Sequence, residues 1–396
     1  MEKVPASEIA NRIAMLQKRL GENGVDAAII RQNADLFYFT GTVQDAHLVV
    51  PSSGEPVLVV RRSVERAEAL SPIRPVVAMK SFGELARAVL EACGGEPRTI
   101  GVELDVMPVN TFSLYSRKLF ADQELVDISG LIRQIRMVKS AWEIQMLKAA
   151  ASISTLLAES VPQLLKPGMS ELELSAELEC ISRKAGNYGM YRCRAFNMEM
   201  MFGHILAGPN GAVPSYTDAP TGGPGISPAL GQGAGRRKIK PGEIVSVDTM
   251  VTWNGYANDQ TRNFCIGPPP RRLVEAYEFV RSAHRRLKAL ARPGAVTGEL
   301  YEAIWQLAKE AGWAQWFMGC QDPRITFVAH GLGVEVDEFP FIAERQKLEL
   351  REGMVFAFEP KIIIPDAGIA GLENTYLVTD KGIESLNEAT EELVII

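Results

Sequence analysis

Two acidic residues, Asp248 and Asp259, lie in a segment whose pattern predicts a β-hairpin. They flank Asn254-Gly255, the dipeptide that favours a tight two-residue turn. With this pair in the turn, position 250 faces position 259, position 248 faces position 261, and the two aspartates are diagonal neighbours about 7–8 Å apart. Carboxylates this close repel each other unless a cation lies between them, and Thr261 on the same face can hold one of them in place. A solvated sheet edge is the alternative, but residues 244–247 and 264–266 are core types, so the hairpin predicts a metal site.

Three further candidate ligands, His330, Glu359 and Glu373, adjoin apolar segments. His330 follows an apolar strand and precedes two glycines that let the backbone approach a ligand closely. Glu359 follows VFAF, and a carboxylate there must be paired or metal-bound because an isolated buried charge is prohibitive. Glu373, in GLENTYLV, meets the same constraint. A lone histidine is more often a hydrogen-bonded core residue, but beside four carboxylates one neutral imidazole is the expected nitrogen ligand.

The charge of these groups predicts a pair of metal ions. Four carboxylates balance two divalent ions and leave room for one bridging hydroxide. Two metal ions about 3.5–4 Å apart lower the pKa of that water and polarise a carbonyl, which is hydrolytic chemistry. An oxygen-rich set with one histidine suits Mn, Fe(II), Co or Zn, and the residue types do not choose among them.

The acids also fall at matching places in an internal repeat. The segment IKPGEIVSVDTMV (239–251) resembles LREGMVFAFEPKI (350–362), which aligns Asp248 with Glu359. NDQTRNF (258–264) resembles ENTYLV (373–378), which aligns Asp259 with Glu373, and LLKPGMSELEL (164–174) resembles ALARPGAVTGEL (289–300). A duplicated unit of two helices plus strands would direct four carboxylates to one centre, with an insertion in the Gly- and Pro-rich residues 208–240.

The N-terminal part of the chain is predicted to form a different kind of unit, because helix and strand patterns alternate there. The predicted strands are Val25–Ile30, Leu36–Phe39, His47–Val50, Pro56–Val60 and Thr99–Glu103, and Ser81–Cys93 is a predicted helix. This part contains no cluster of candidate ligands, which indicates a supporting or substrate-covering domain. From Ser140 the pattern changes to long helices followed by strands, and Ser170 with Glu173 predicts a helix start with a capping box. We therefore predict domains over residues 1–135 and 140–396.

The ordered strings VDTMVTWNGYANDQTRNF, HGLGVEVDEFP, GMVFAFEP and GLENTYLVT resemble the creatinase/methionine-aminopeptidase (pita-bread, M24) superfamily. Within it the chain is most similar to the Xaa-Pro aminopeptidases and prolidases, and AIIRQNADLFYFTG and IGVELDVMP extend the resemblance to the N-terminal domain. The resemblance implies an α/β N-terminal creatinase-like domain plus an α+β C-terminal pita-bread domain with an internal pseudo-twofold repeat. It also implies that Asp248 and Asp259 hold one metal, that Asp259 and Glu373 bridge, and that His330 and Glu359 complete the second. A homodimer is implied as well.

The sequence departs from these peptidases where they carry two histidines that contact the substrate. Ser215 and Asp337 stand at those places. A serine can donate one hydrogen bond, whereas an aspartate opposes an oxyanion but could accept a proton. His204 either approaches the site or lies in the core, and Arg262 either organises the ligands, binds a carboxylate or forms a surface ion pair. The candidate catalytic residues are thus Glu359, His330, Asp337 and Ser215, and the candidate substrate contacts are His204, Arg262 and Asp337.

Two other histidines receive different interpretations. His284, amid Arg and Lys on a helix, is predicted to be solvated surface. His47 is predicted to be structural, although in this family the N-terminal domain of the neighbouring subunit can border the site.

Bulk properties exclude several classes of function. The 396 residues have a net charge of −6 with scattered basic residues, which argues against nucleic-acid binding. We expect no membrane span, since no apolar run reaches about 18 residues, and no signal peptide. The 5 cysteines lack a CxxC pair, so a disulfide framework is not expected and a cytoplasmic location fits.

Three functions are consistent with these features. The leading hypothesis is a hydrolase of a small peptide or peptide-like amide, with proline after the scissile bond. The second is a non-peptidase of the same fold, such as a creatinase-, ectoine hydrolase- or dimethylsulfoniopropionate lyase-like enzyme that uses Asp337. The third is a non-catalytic binding module, which is disfavoured because such modules generally lose the metal ligands that this chain retains.

Overall fold

The chain divides into two units, which the computed structural model describes over residues 2–320 and 324–396. The first unit comprises the described residues up to Arg136 together with Arg194–Asn197. The second comprises Met137–Cys193 and Met198–Ile396. Among the helices in these described ranges, none has the length and apolar character needed to cross a bilayer.

The first unit is built on a mixed sheet with the strand order β4-β3-β2-β1-β5-β6. These strands, β1 to β6, are Ala27–Ile30, Ala46–Pro51, Val57–Val60, Val76–Ala78, Thr99–Val102 and Glu124–Asp127. The helices, α1 to α6, are Ala6–Glu22, Asn33–Thr40, Val64–Leu70, Phe82–Cys93, Val109–Leu114 and Ser129–Arg136, with a π-helical turn over Tyr115–Leu119. Pairs β1–β2 and β2–β3 are antiparallel, and the other neighbours are parallel. Apolar side chains of the sheet and of α4 pack into one core.

The predicted strand Leu36–Phe39 is wrong, because these residues lie within α2. The side chain of Gln32 accepts hydrogen bonds from the backbone N–H groups of Ala34 and Asp35, which caps the helix start. Gly41 ends it with a left-handed φ of 74°, a conformation that glycine adopts without steric cost. Periodicity does not separate a short apolar helix from a strand, and the two caps decide the outcome.

The second unit holds four long helices and eleven strands within the described residues. The helices, α7 to α10, are Ala141–Leu164, Glu171–Lys184, Arg271–Leu290 and Thr297–Glu310. The strands, β7 to β17, are Gly203–Ala207, Ile244–Trp253, Tyr256–Cys265, Phe327–Leu332, Val336–Ala343, Val355–Phe358, Lys361–Ile364, Gly368–Gly371, Asn374–Thr379, Gly382–Ser385 and Val394–Ile395. Short 3₁₀ turns cover Gly208–Ala212 and Ala314–Trp316. As predicted, a capping box formed by Ser170 and Glu173 starts α8.

The internal repeat of the second unit is visible in its topology. In the first copy α7 and α8 precede three antiparallel strands in the order β7-β8-β9, and in the second α9 and α10 precede β10-β12-β15. Each copy has its own apolar core against its helices. The predicted fold class, with a pseudo-twofold repeat in the C-terminal domain, is confirmed.

The hairpin formed by β8 and β9 has the register that the sequence predicts. Met250 pairs with Asp259, and Asp248 pairs with Thr261. Asn254 and Gly255 form the turn with φ values of 43° and 94°, the positive values that such a turn requires at both positions. Asp248 and Asp259 therefore lie on the same sheet face.

Candidate metal centre

Five predicted ligands come from the corresponding strands of the two repeat copies. Asp248 and Asp259 lie on β8 and β9, His330 lies on β10, Glu359 follows β12 and Glu373 precedes β15. The hydroxyl of Thr375 donates to the backbone carbonyl of Asp259 at 3.0 Å, which joins β9 to β15. The contact between the equivalent strands β9 and β15, which belong to different sheets, thus brings the candidate ligands of both copies to one place.

Three of these residues form the tightest group. One ligand atom from each of Asp259, His330 and Glu373 lies within 4.8 Å of the other two. The hydroxyl of Thr261 donates to Oε2 of Glu373 at 2.8 Å, so it holds a carboxylate as predicted. His330 and Glu373 are buried. Two carboxylates and an imidazole in this arrangement fit a divalent metal ion.

The imidazole of His330 lies close to three carboxylates. Oδ1 of Asp337 lies 3.5 Å from Nδ1 of His330, and Nε2 lies 3.8 Å from Oε1 of Glu359 and 3.9 Å from Oε1 of Glu373. Burial lowers the pKa of His330, but the charges of Asp337, Glu359 and Glu373 outweigh it, and the net shift is upward. Carboxylate–histidine pairs of this kind fix the ring of a metal-binding histidine.

The electrostatics of the acidic cluster also fit a bound cation. Burial, followed by the charges of Glu373 and Asp248, raises the pKa of Asp259 well above its ordinary value. Burial also raises the pKa of Glu373 to about 8, although the ammonium group of Lys361 lowers it. These raised pKa values mean that burial and mutual repulsion disfavour the ionised forms of both carboxyls, and additional positive charge among them would favour those forms. The donor set therefore fits a divalent ion.

Lys361 is a member of the site that the sequence reasoning missed. Its Nζ donates to Oδ2 of Asp248 and to Oε2 of Glu359, both at 2.8 Å, and lies 3.8 Å from Oε2 of Glu373. Only 2 % of the residue is exposed, so its charge is held almost entirely by these carboxylates. Burial lowers the pKa of Lys361, but the charges of Asp248 and Glu359 raise it by more. The resulting pKa is well above the ordinary value of a lysine. A signal existed, because a lysine inside the apolar run FAFEPKIII needs a buried partner.

A cavity opens beside these ligands. Apolar side chains of Met198, Met200, Met201 and Phe327 line it, together with His204 and the carboxylates of Asp218 and Asp337. His204 pairs with Asp248 across β7 and β8, and burial lowers its pKa. Of the two open interpretations of His204, the approach to the site is the one that the structure supports.

Two other predicted site residues lie outside the lining of this cavity in the described part of the chain. The guanidinium of Arg262 is buried and donates to the carbonyls of Glu373 and Ala389 and to Oδ1 of Asn374. Arg262 is therefore not a surface residue, and it holds the segment that bears Glu373. The hydroxyl of Ser215 donates to Oε1 of Gln232 at 3.1 Å, and Gln232 lines the cavity.

The prediction that His284 is solvated surface is wrong. Its ring is buried, with Nδ1 2.9 Å from the hydroxyl of Tyr376 and Nε2 2.9 Å from the carbonyl of Leu372. Burial lowers the pKa of His284 to about 3. The basic neighbours in the sequence lie on other faces of α9, since residues adjacent in a helix do not share a face. His47 is also buried, in the first unit.

The fold and the candidate ligands fit a metal-binding protein, and comparison with known proteins gives the family. The model of metallopeptidase family M24 matches residues 145–380, and that of the creatinase/prolidase N-terminal domain matches residues 12–138. The chain belongs to metallopeptidase family M24.

Similar proteins include several peptidases. The Xaa-Pro dipeptidase of Pyrococcus furiosus is 27% identical over 361 residues, which cover 90% of this chain and 92% of that protein. The Xaa-Pro dipeptidase from Bacillus anthracis has a solved structure that matches with a TM-score of 0.83 and 25% identity, covering 98% of this chain and 100% of the other. The structure of dipeptidase PepE from Mycobacterium ulcerans matches with a TM-score of 0.82 and 27% identity over 100% of both chains.

Proposed function

We propose that this protein is a metal-dependent hydrolase of small peptides, of the Xaa-Pro dipeptidase type. The observation that carries the proposal is the group formed by Asp259, His330 and Glu373, whose ligand atoms lie within 4.8 Å of one another beside a cavity. Its membership of family M24 and the dipeptidases among its relatives support the same reaction. The predicted pair of ions, the hydroxide that would bridge them and the homodimer stay predictions.

The side chains around the cavity suggest how such a reaction would proceed. When bound at Asp259, His330 and Glu373, a divalent ion would polarise the scissile carbonyl and lower the pKa of a water. Glu359, whose Oε1 lies 3.8 Å from Nε2 of His330, would accept the proton of the attacking water and pass it to the leaving amine. The methionines of the cavity wall offer an adaptable apolar surface for the side chains of a short peptide.

A second candidate function is an M24 enzyme that acts on a small cationic substrate other than a peptide. The observation that favours it is the presence of two carboxylates, Asp218 and Asp337, in the cavity wall. These groups can pair with the free amino group of a peptide, but equally with the cationic group of a creatine-, ectoine- or sulfonium-type compound. Ser215 and Asp337 also replace donors to a developing oxyanion, and loss of one such donor costs roughly 10²–10³ in rate. We therefore expect slow or narrow cleavage of ordinary Xaa-Pro dipeptides.

A substrate panel tests the two candidates. The protein, loaded separately with Mn, Co, Fe(II) or Zn, would be assayed on proline dipeptides, creatine, ectoine and sulfonium compounds, with chelated protein as the blank. We expect metal-dependent cleavage of at least one proline dipeptide and a loss of about 10²–10⁴ in kcat for Glu359→Gln, because a proton-transfer group is removed. Glu384→Gln, at an exposed carboxylate of β16, is the matched control, and its kcat should equal that of the unaltered protein. Turnover of a cationic non-peptide alone would favour the second candidate, and metal-independent turnover would contradict both.

A further inference from the structure

Lys361 occupies a defined position in the metal centre. It is the first residue of β13, and it pairs with Gly371 of β14. A Cβ added at Gly371 would lie 2.9 Å from Cγ of Lys361, so the lysine stem crosses the space that a side chain at 371 would fill. The backbone N–H of Gly371 is itself held by Oδ1 of Asn263 at 2.8 Å. The absence of a side chain at Gly371 thus leaves room for the aliphatic part of Lys361 to cross β14 and reach the carboxylates.

The carboxylates fall into two sets according to what they can bind. Asp259 and Glu373 converge with His330 on one place, the group suited to a metal ion among the described residues. Asp248 and Glu359 instead each accept a hydrogen bond from Nζ of Lys361 at 2.8 Å. A metal ion would bind oxygens of Asp248 or Glu359 at about 2.0–2.2 Å, in the space that the ammonium group fills. It would also lie next to a fixed positive charge.

We propose that the ammonium group of Lys361 takes the place of one of two metal ions, so that each chain binds a single divalent ion at Asp259, His330 and Glu373. The inference rests on the proposed metal-dependent function and refines its cofactor. One divalent ion and one ammonium group supply three positive charges to the four carboxylates. The lysine holds Asp248 and Glu359 in position through its two hydrogen bonds, without a second ion.

The stoichiometry of metal binding tests this proposal without reference to activity. Metal-free protein would be titrated with Mn and with Zn, and bound metal per chain would be measured by elemental analysis after gel filtration. We expect one ion per chain for the unaltered protein and two for Lys361→Met, which keeps most of the stem and removes the charge. Lys18→Met, at an exposed lysine of the first unit, is the matched control and should bind one ion.

A spectroscopic measurement on the unaltered protein covers the case in which Lys361→Met does not fold. The electron paramagnetic resonance spectrum of the Mn-loaded protein should show the hyperfine pattern of an isolated ion rather than that of an exchange-coupled pair. Two ions per chain or a coupled spectrum in the unaltered protein would overturn the inference, while metal-dependent peptidase activity with either result would leave the proposed function standing. A folded Lys361→Met protein that still binds one ion would also overturn it. No metal binding at all would overturn the inference and the proposed function together.

Discussion

The carboxylate of Asp337 could act on His330 or on the substrate, because it lies near both the imidazole and the cavity. Asp337 lines the cavity, yet its Oδ1 lies 3.5 Å from Nδ1 of the imidazole whose other nitrogen faces Glu359 and Glu373. Its backbone has a φ of 64°, which aspartate and asparagine tolerate better than most residues. The geometry supports an orienting role for Asp337, whereas the sequence pointed to a role as base or partner of the substrate.

Asp337→Asn separates these duties, because it keeps the shape and the backbone preference but removes the charge. If Asp337 positions His330, the dissociation constant of the metal should rise about 10–100-fold. Metal-chelator competition measures this constant independently of turnover. Asp218→Asn is the control, because Asp218 also lines the cavity but lies outside the ligand group; its metal affinity should not change. Equal metal affinity of the unaltered protein and Asp337→Asn, with lower activity, would assign Asp337 to the substrate instead.

At the scale of the elements, Arg262 connects three segments that the site needs in register. It lies on β9, three residues after Asp259, and donates to the carbonyl of Glu373 at 2.7 Å, to Oδ1 of Asn374 at 2.7 Å and to the carbonyl of Ala389 at 3.1 Å. These bonds tie β9 to the start of β15 and to the C-terminal segment. They fix the backbone from which the Glu373 carboxylate extends.

Arg262→Met should therefore weaken metal binding although residue 262 touches no metal. The change leaves buried carbonyls without donors, at a cost of about 1–3 kcal/mol for each unsatisfied group, and it frees the Glu373 segment. Chemical denaturation would measure the stability loss, and metal titration the affinity. Arg271, whose side chain is 93% exposed, provides the control. Arg271→Met should change neither the stability nor the metal affinity measurably. A stability loss with unchanged metal affinity would show that Glu373 does not depend on Arg262 for its position.

The sequence predicts some of these elements well and others poorly, for physical reasons. The β8–β9 register follows from the turn, because Asn254 and Gly255 leave one favourable pairing. The helix α2 does not follow from periodicity, because eight residues with apolar side chains on most faces fit either structure. Repeat matching aligned Glu359 with Asp248 but gave no reason to inspect the residue two positions later, where Lys361 lies.

At the scale of the whole molecule, long-range packing decides what local patterns leave open. His284 lies among basic residues in the sequence, yet α9 turns it toward Tyr376 and Leu372, 92 and 88 positions away. Which ligands converge depends on strands from both repeat copies, and their order could be predicted only because the copies resemble each other. No such internal repeat guided the predictions for the first unit. Its strands had to be predicted from local pattern alone.

The buried histidine of that first unit makes the stability of the protein depend on pH. His47 is 2 % exposed, with its ring centroid 6.2 Å from that of Phe82 and 6.3 Å from that of Tyr115. Burial, reinforced by the charge of Arg31, lowers the pKa of His47 from 6.5 to about 4. Between these two values the unfolded chain binds a proton at this position and the folded chain does not, so protonation favours unfolding. The contribution of the neutral imidazole to the free energy of unfolding is fully present above pH 6.5. It is lost as the pH falls to about 4, and the total loss is about 3 kcal/mol.

His47→Phe should remove this acid sensitivity, because a phenyl ring keeps the aromatic contacts and cannot be protonated. Denaturant unfolding of both proteins at intervals from pH 7.5 to 4, read by a probe in the first unit, would give the difference in unfolding free energy at each pH. All other titrating groups are common to the two proteins, so the difference isolates position 47. As the pH falls through this range, we expect the unfolding free energy of the variant to rise by about 3 kcal/mol relative to that of the unaltered protein. Parallel stability curves would mean that water or a local opening already reaches the imidazole, and that His47 is not held in its neutral form by burial.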